Sequence, residues 1–308
     1  MKHRSVFRSC SWKLIATLLL VAFSNQIARS ENETPPAKFK TVLHVPYDSS
    51  IRFGKHFKSL DIYAPESGKN HPIVIWVHGG GWKIGDKRGV DNKPLAFTQH
   101  GYLLVSINYR LHPGATYDQQ AQDVAQAIHW VRDHAREYGG NPDQIFLMGH
   151  SAGAHLVALV SLNPTYLKQQ SLSLKTIKGT ILLDGAGYDI TDRIKTAGRT
   201  GKKIYTSVFG EDEKTWKAAS PLTYVRRNRS IPPFLILHVA DRADSKRQSE
   251  SLAKKLKANR IDVSVIPAPG KTHMTINQEI GLANDMPTQK LFAFLNHITG
   301  ASKGRKTH

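Results

Sequence analysis

Apolar residues in this chain gather in short runs separated by longer stretches with helical spacing. "HPIVIWVH" (71–78) and "GYLLVSINY" (101–109) are continuous apolar runs of strand length. "DQIFLMG" (143–149), "GTILLDG" (179–185), "PPFLILHV" (232–239) and "DVSVIPA" (262–268) are four more. Between them the period changes. In "DQQAQDVAQAIHWVRDHAREYGG" (118–140) Val124, Ala127, Ile128 and Val131 recur at spacings of three and four, and the pattern stops at Gly139-Gly140, where a left-handed cap is easy. Further helices are predicted from Ala152 to Leu162, from about Lys246 to Asn259 and from Pro287 to Thr299. Continuous apolar strands alternating with helices predict an α/β domain, with a mostly parallel sheet covered by helices on both faces. In such sheets ligands gather at the carboxyl ends of the strands.

Two regions break the alternation. Residues 190–229, between the fourth and fifth runs, are basic, mixed and poorly periodic, and read either as a helical excursion over the sheet edge, serving as a lid, or as a plain surface loop. The first thirty residues belong to another class. Lys2, Arg4, Arg8 and Lys13 precede the apolar run Leu14–Phe23, and Ala28 and Ser30 are small residues at the positions a signal peptidase reads. A cleaved secretory signal over residues 1–30 is therefore expected; a membrane anchor needs ~20 apolar residues, about twice what this run supplies. Residues 31–40 are expected to be a disordered lead-in, 41–300 one domain, and 301–308 a basic tail. No linker composition or internal repeat divides the domain.

Export changes how the rest is read. The lone cysteine, Cys10, leaves with the signal, so the mature chain would have neither disulfide nor thiol chemistry in its secreted or periplasmic location. The formal charge of the whole chain is +19, and the signal carries five Lys/Arg and no Asp or Glu, which leaves +14 on the mature form. Such a surface attracts anions, an acidic glycan among them, or simply keeps the protein soluble. The charge is spread over "GRTGKK", "VRRNR", "KKLKANR" and "KGRK", without a nucleic-acid motif. No stable membrane insertion is expected once the signal is cleaved.

The candidate chemistry sits where runs end. "MGHSAGAHL" places Ser151 between a strand and a helix, in a G-x-S-x-G turn whose glycines permit a strained, exposed nucleophile. "HGGGW" (78–82) closes another strand, and a glycine triplet lets backbone N–H groups approach a ligand, as an oxyanion hole requires. Of the 15 histidines, His78 and His150 belong to these turns, His129 and His134 to a helix, and His238 to a strand interior. His273, in the loop "APGKTHMT" after the last strand, is the candidate base. For the acid, Asp241 is the first carboxylate beyond "FLILHVA". Asp244 competes, but Asp244-Ser245 opens the next helix, with Gln248 set to close a capping box on Ser245.

The order Ser151, Asp241, His273 is the chain order of the triad in α/β-hydrolases. The chain resembles the esterase/lipase group of that fold that carries an H-G-G-G-W motif: hormone-sensitive-lipase-like carboxylesterases, kynurenine-formamidase-like enzymes and bacterial feruloyl and acetyl-xylan esterases. "HGGGWKIGDKR", "INYRLHP", "QDVAQAIHWVRDHAREYGGNPDQIFLMGHSAGAHL" and "GKTHMT" carry the resemblance, from about Phe57 to Thr299. "HVADRAD" departs from the His-Gly that precedes the acid in many relatives, which leaves Asp241 against Asp244 open. The resemblance implies that Gly80, Gly81 and Ala152 supply the oxyanion amides, with Gly79 able to replace one. It implies two-step acyl transfer on small or polysaccharide-linked esters, with no metal or cofactor. An arylformamidase is the alternative within the resemblance. A non-catalytic binding module on the same scaffold predicts a missing triad residue, and none is missing.

Overall fold

The computed structural model describes residues 38–48, 58–227 and 229–300. The expected signal, most of the lead-in and the basic tail lie outside these residues. Within them, eight strands form one sheet in the order β1-β2-β4-β3-β5-β6-β7-β8. These are β1 Phe39–Pro46, β2 Ser59–Pro65, β3 His71–Val77, β4 Leu103–Ile107, β5 Gly140–His150, β6 Ile177–Leu183, β7 Phe234–Val239 and β8 Val263–Ala268. Six of them are the runs read above. β1 and β2 add an antiparallel edge, while β4, β3 and β5 through β8 are parallel. β1 begins at Phe39, two residues inside the expected lead-in, because its backbone pairs with β2 from Phe39 opposite Pro65.

Alternation along the central strands divides the core in two. Ile73, Ile75, Val77, Ile145 and Leu147 face one cluster, whereas Val74, Trp76, Phe146 and Met148 face the other, as a period of two requires for strands buried on both sides. The first cluster includes buried residues of α2 (Tyr117–His134), α3 (Ala152–Leu162) and α8 (Ala243–Ala258). The second includes those of α1 (Lys93–Gln99) and α10 (Met286–Thr299). Thr116 caps α2 through a capping box with Gln119, and Gly139 takes the left-handed conformation just beyond. α4 (Pro164–Lys168) follows α3, and α9 (Thr275–Gln278) follows β8.

The ambiguous stretch is helical over most of residues 190–224. It holds α5 (Ile190–Thr196), α6 (Arg199–Phe209) and α7 (Glu213–Ala219), whose buried Ile194, Tyr205, Phe209 and Trp216 join the first cluster. The expected capping box at the start of α8 is not formed. That helix begins two residues before Ser245, and Gln248 instead accepts from the Asp189 amide and donates to Asp192, tying α8 to α5. Among the described residues no helix is long and apolar enough to cross a membrane.

Candidate active site

β5 delivers Ser151 to the carboxyl edge of the sheet and α3 leads away from it. Ser151 has φ 54° and ψ −117°, a conformation that costs a non-glycine residue strain and persists only where the surroundings enforce it. Its neighbours enforce it. A Cβ on Gly149 would stand 2.5 Å from the Gly153 carbonyl oxygen, and one on Gly153 would stand 2.1 Å from that of Val77. Both glycines are thus required by the closeness of the turn. The Ser151 amide donates to Leu183 O at 2.9 Å, which anchors the elbow to β6.

His273 Nε2 lies 3.0 Å from Ser151 Oγ, so the sequence-predicted nucleophile and base are brought together. The carboxylate that meets His273 is Asp184 and not the expected Asp241. Asp184, directly after β6, places Oδ2 2.6 Å from His273 Nδ1, and its side chain is fully buried. Asp241 is exposed, in the turn beyond β7, and takes no part in this cluster. Asp244 points elsewhere, at 2.7 Å from Arg193 Nη2 and 3.1 Å from Arg242 Nε. The reason is local: Asp184 N donates to Leu237 O and its Oδ1 accepts from the Val239 amide, so the β6–β7 pairing aims this carboxylate at the histidine. Arg242 Nη1 donates to the same Oδ2 at 2.6 Å and lies 2.7 Å from His273 Nδ1. Burial pushes the Asp184 carboxyl up, but hydrogen bonds from His273, Ser245 and the Val239 amide and the Arg242 charge outweigh it and hold it below the usual carboxylate range.

The glycine loop completes the surroundings. Gly80 has φ 112°, and a Cβ there would collide with Ile84 O at 2.0 Å; its own carbonyl accepts from the Lys83 and Ile84 amides. A Cβ on Gly79 would lie 3.1 Å from that of Ser151, so the loop runs against the nucleophile. Gly81 and Ala152 line a cavity beside Ser151, and Gly80 lines a second. Among the described residues no backbone carbonyl takes the amide protons of Gly80, Gly81 or Ala152.

Two further histidines hold this frame. His150 donates from Nε2 to His273 O at 2.7 Å, and burial, then the neighbouring His273, lowers its pKa to about 3. His155 is pinned at both nitrogens: Trp82 Nε1 donates to Nδ1 at 3.1 Å, and Nε2 donates to Ala219 O at 2.8 Å. Burial lowers its pKa to about 4. Trp82 packs against Tyr205 and Phe209 of α6 and lines the cavity at Ser151, whereas Tyr109 is wholly buried and stacks on His78. Among the described residues no three of His, Cys, Asp and Glu cluster as metal ligands would.

The profile of the BD-FAE family matches residues 60–256, which span the glycine loop, the elbow, Asp184 and Arg242. The chain belongs to the BD-FAE family. This BD-FAE chain is 31% identical over 253 residues to esterase LipQ of Mycobacterium tuberculosis, covering 78% of the chain and 58% of LipQ. It is 28% identical over 240 residues to an isoprenylcysteine alpha-carbonyl methylesterase of Arabidopsis thaliana, covering 73% of the chain and 56% of the relative. It therefore spans little more than half the length of these curated relatives. Among solved structures, an inhibited esterase B of Lactobacillus rhamnosis superposes with a TM-score of 0.73 at 19% identity, covering 94% of this chain and 97% of that one. A truncated carbohydrate esterase from gut microbiota gives 0.73 at 21%, covering 88% and 100%. The fold is that of α/β-hydrolase esterases.

Proposed function

We propose that the chain is an exported serine hydrolase that cleaves carboxylic esters through an acyl-enzyme on Ser151. The observation that carries this reading is the relay from Ser151 Oγ to His273 Nε2 and from His273 Nδ1 to Asp184, beside unpaired amides at Gly80, Gly81 and Ala152. Ser151 Oγ attacks the ester carbonyl carbon while its proton passes to His273 Nε2. The carbonyl oxygen gains the electron pair and accepts hydrogen bonds from the loop and elbow amides. Asp184 keeps the proton on Nδ1 and stabilises the imidazolium. His273 then protonates the alcohol oxygen as the C–O bond breaks. Water repeats the sequence and releases the carboxylic acid.

Small or carbohydrate-linked acyl esters suit the open groove of about 380 Å³ beside His273, and a mature surface of high positive charge suits an acidic glycan. The leader-like N-terminus supports a secreted or periplasmic location.

The test compares purified protein with its Ser151→Ala variant on p-nitrophenyl acetate, butyrate and octanoate, methyl ferulate and N-formylkynurenine. Ester turnover that vanishes in the variant is the expected result. Cleavage of the formamide alone would replace this reading with an arylformamidase. Equal inertness of both proteins on every compound would overturn the hydrolase assignment.

A further inference from the structure

Two cavities meet at Ser151 and Gly81. The larger, about 380 Å³, includes His273 and Met274; the smaller, about 180 Å³, includes Ala152 but not His273. The proposed reaction assigns them. His273 Nε2 must hand its proton to the departing alcohol oxygen, so the alcohol half lies on the His273 side, in the larger groove. The acyl half is left with the smaller cavity, whose volume is below the ~300 Å³ at which pockets for drug-sized ligands begin. The acyl group is short.

The wall of that cavity is unusual in its charge. Trp82, Ile204 and Tyr205 make it largely apolar, yet Arg193 and Arg242 both line it. Outside the triad these two guanidinium groups share one carboxylate, Asp244. Arg242 spends Nη1 on Asp184. Arg193 reaches Asp244 through Nη2 alone and lies over the Tyr205 ring, and its Nε is buried without an acceptor among the described residues. A guanidinium carries five donors in a fork that matches a carboxylate, and a buried donor left unpaired is costly.

Resting on the esterase reading, we propose that the small cavity is an acyl site for a short chain ending in a carboxylate, the acyl half of a dicarboxylic acid half-ester such as a hemisuccinate. Arg193, which lines the cavity with a guanidinium that pairs with a single carboxylate, is its specificity determinant, and Arg242 lines the same wall. An alcohol such as a sugar occupies the larger groove.

The experiment follows hydrolysis of monoethyl succinate and of the near-isosteric ethyl valerate by pH-stat, for the wild type and for Arg193→Met, which keeps an unbranched apolar stem and removes the guanidinium that lies over Tyr205. The wild type is expected to favour monoethyl succinate in kcat/KM, and Arg193→Met to lower that preference about 10- to 100-fold, the range expected for a charge-assisted hydrogen bond. Free succinate is expected to inhibit the wild type more strongly than free butyrate, a readout that stands even if the variant does not fold. Hydrolysis of the valerate with no preference for the succinate, or a preference that Arg193→Met leaves intact, would overturn this inference and leave the esterase reading standing. Failure to hydrolyse either ester, or any ester in the preceding panel, would overturn the esterase reading itself.

Discussion

Asn in place of Asp184 is the sharpest test of the relay. Asp184 Oδ2 is 2.6 Å from His273 Nδ1 and fully buried, and among the described residues no other carboxylate takes that position. The amide has the same shape but no charge. It can offer an N–H to Nδ1 and so favour the imidazole tautomer that cannot take the Ser151 proton. In a buried triad that substitution costs about 10⁴ in kcat, or roughly 5 kcal/mol of transition-state stabilisation. A second cost falls on stability. Removing one partner of a buried ion pair costs ~3–5 kcal/mol, and the lower end applies because Arg242 is 29% exposed and keeps Asp244. The assay is kcat on p-nitrophenyl butyrate well below the melting temperature, with thermal unfolding recorded on the same samples to separate the two costs. Asp241→Asn, run beside it, is expected to stay within about twofold of the wild type, since an exposed residue away from the site rarely matters by more than ~0.5 kcal/mol. A collapse of activity in Asp241→Asn with Asp184→Asn still active would refute the reasoning.

Other outcomes follow from the same geometry. Gly153→Ala must move the Val77 carbonyl, which a Cβ would approach to 2.1 Å, and is expected to lose ~1–3 kcal/mol in urea unfolding together with most activity. Gly81→Ala meets nothing within 4 Å and bears only the strain of φ 58°, so it is expected to fold with a loss of ~1–2 kcal/mol. Trp82→Phe removes the donor to His155 Nδ1 and is expected to cost about 1–3 kcal/mol in the same measurement. Stability is expected to fall as pH drops from about 6.5 toward 4. His150 and His155 titrate near 3 and 4 when folded, below their ordinary 6.5, so the unfolded chain binds protons that the native state refuses. Each contributes a slope of up to ~1.4 kcal/mol per pH unit. Asp184, held low by its partners, adds a further loss below its ordinary range. Melting curves at pH 7, 6, 5 and 4 check this; a flat profile would contradict the burial of these rings as neutral groups.

The sheet and the elbow were legible because their signals are local. Six strands are unbroken apolar runs, and Gly149 and Gly153 are demanded by contacts within a few residues of Ser151 or by the adjacent β3. β1 was hidden because an edge strand exposed along most of its length has no apolar run to display. The carboxylate at His273 was not legible for a different reason. Asp184 and Asp241 both follow a strand, so the rule that functional groups collect at carboxyl ends does not separate them. What does is the pairing of β6 with β7, which turns one carboxylate inward and leaves the other in solvent. That is a fact of register between segments about fifty residues apart. The helical character of residues 190–219 was likewise undecided by periodicity, since its helices are short and bury few residues each.

The attachment of Ser151 N to Leu183 O has a bearing on protein engineering. Leu183 immediately precedes Asp184, so Ser151 and Asp184 are parts of one two-stranded block whose dimensions the β5–β6 ladder fixes. The turn after β7 is released from supplying a carboxylate and needs only to retain Arg242. Asp241, exposed in that turn, is thus a place to exchange one side chain for another, to carry a label within reach of the catalytic edge, while the Arg242 N to Val239 O bond keeps the turn intact.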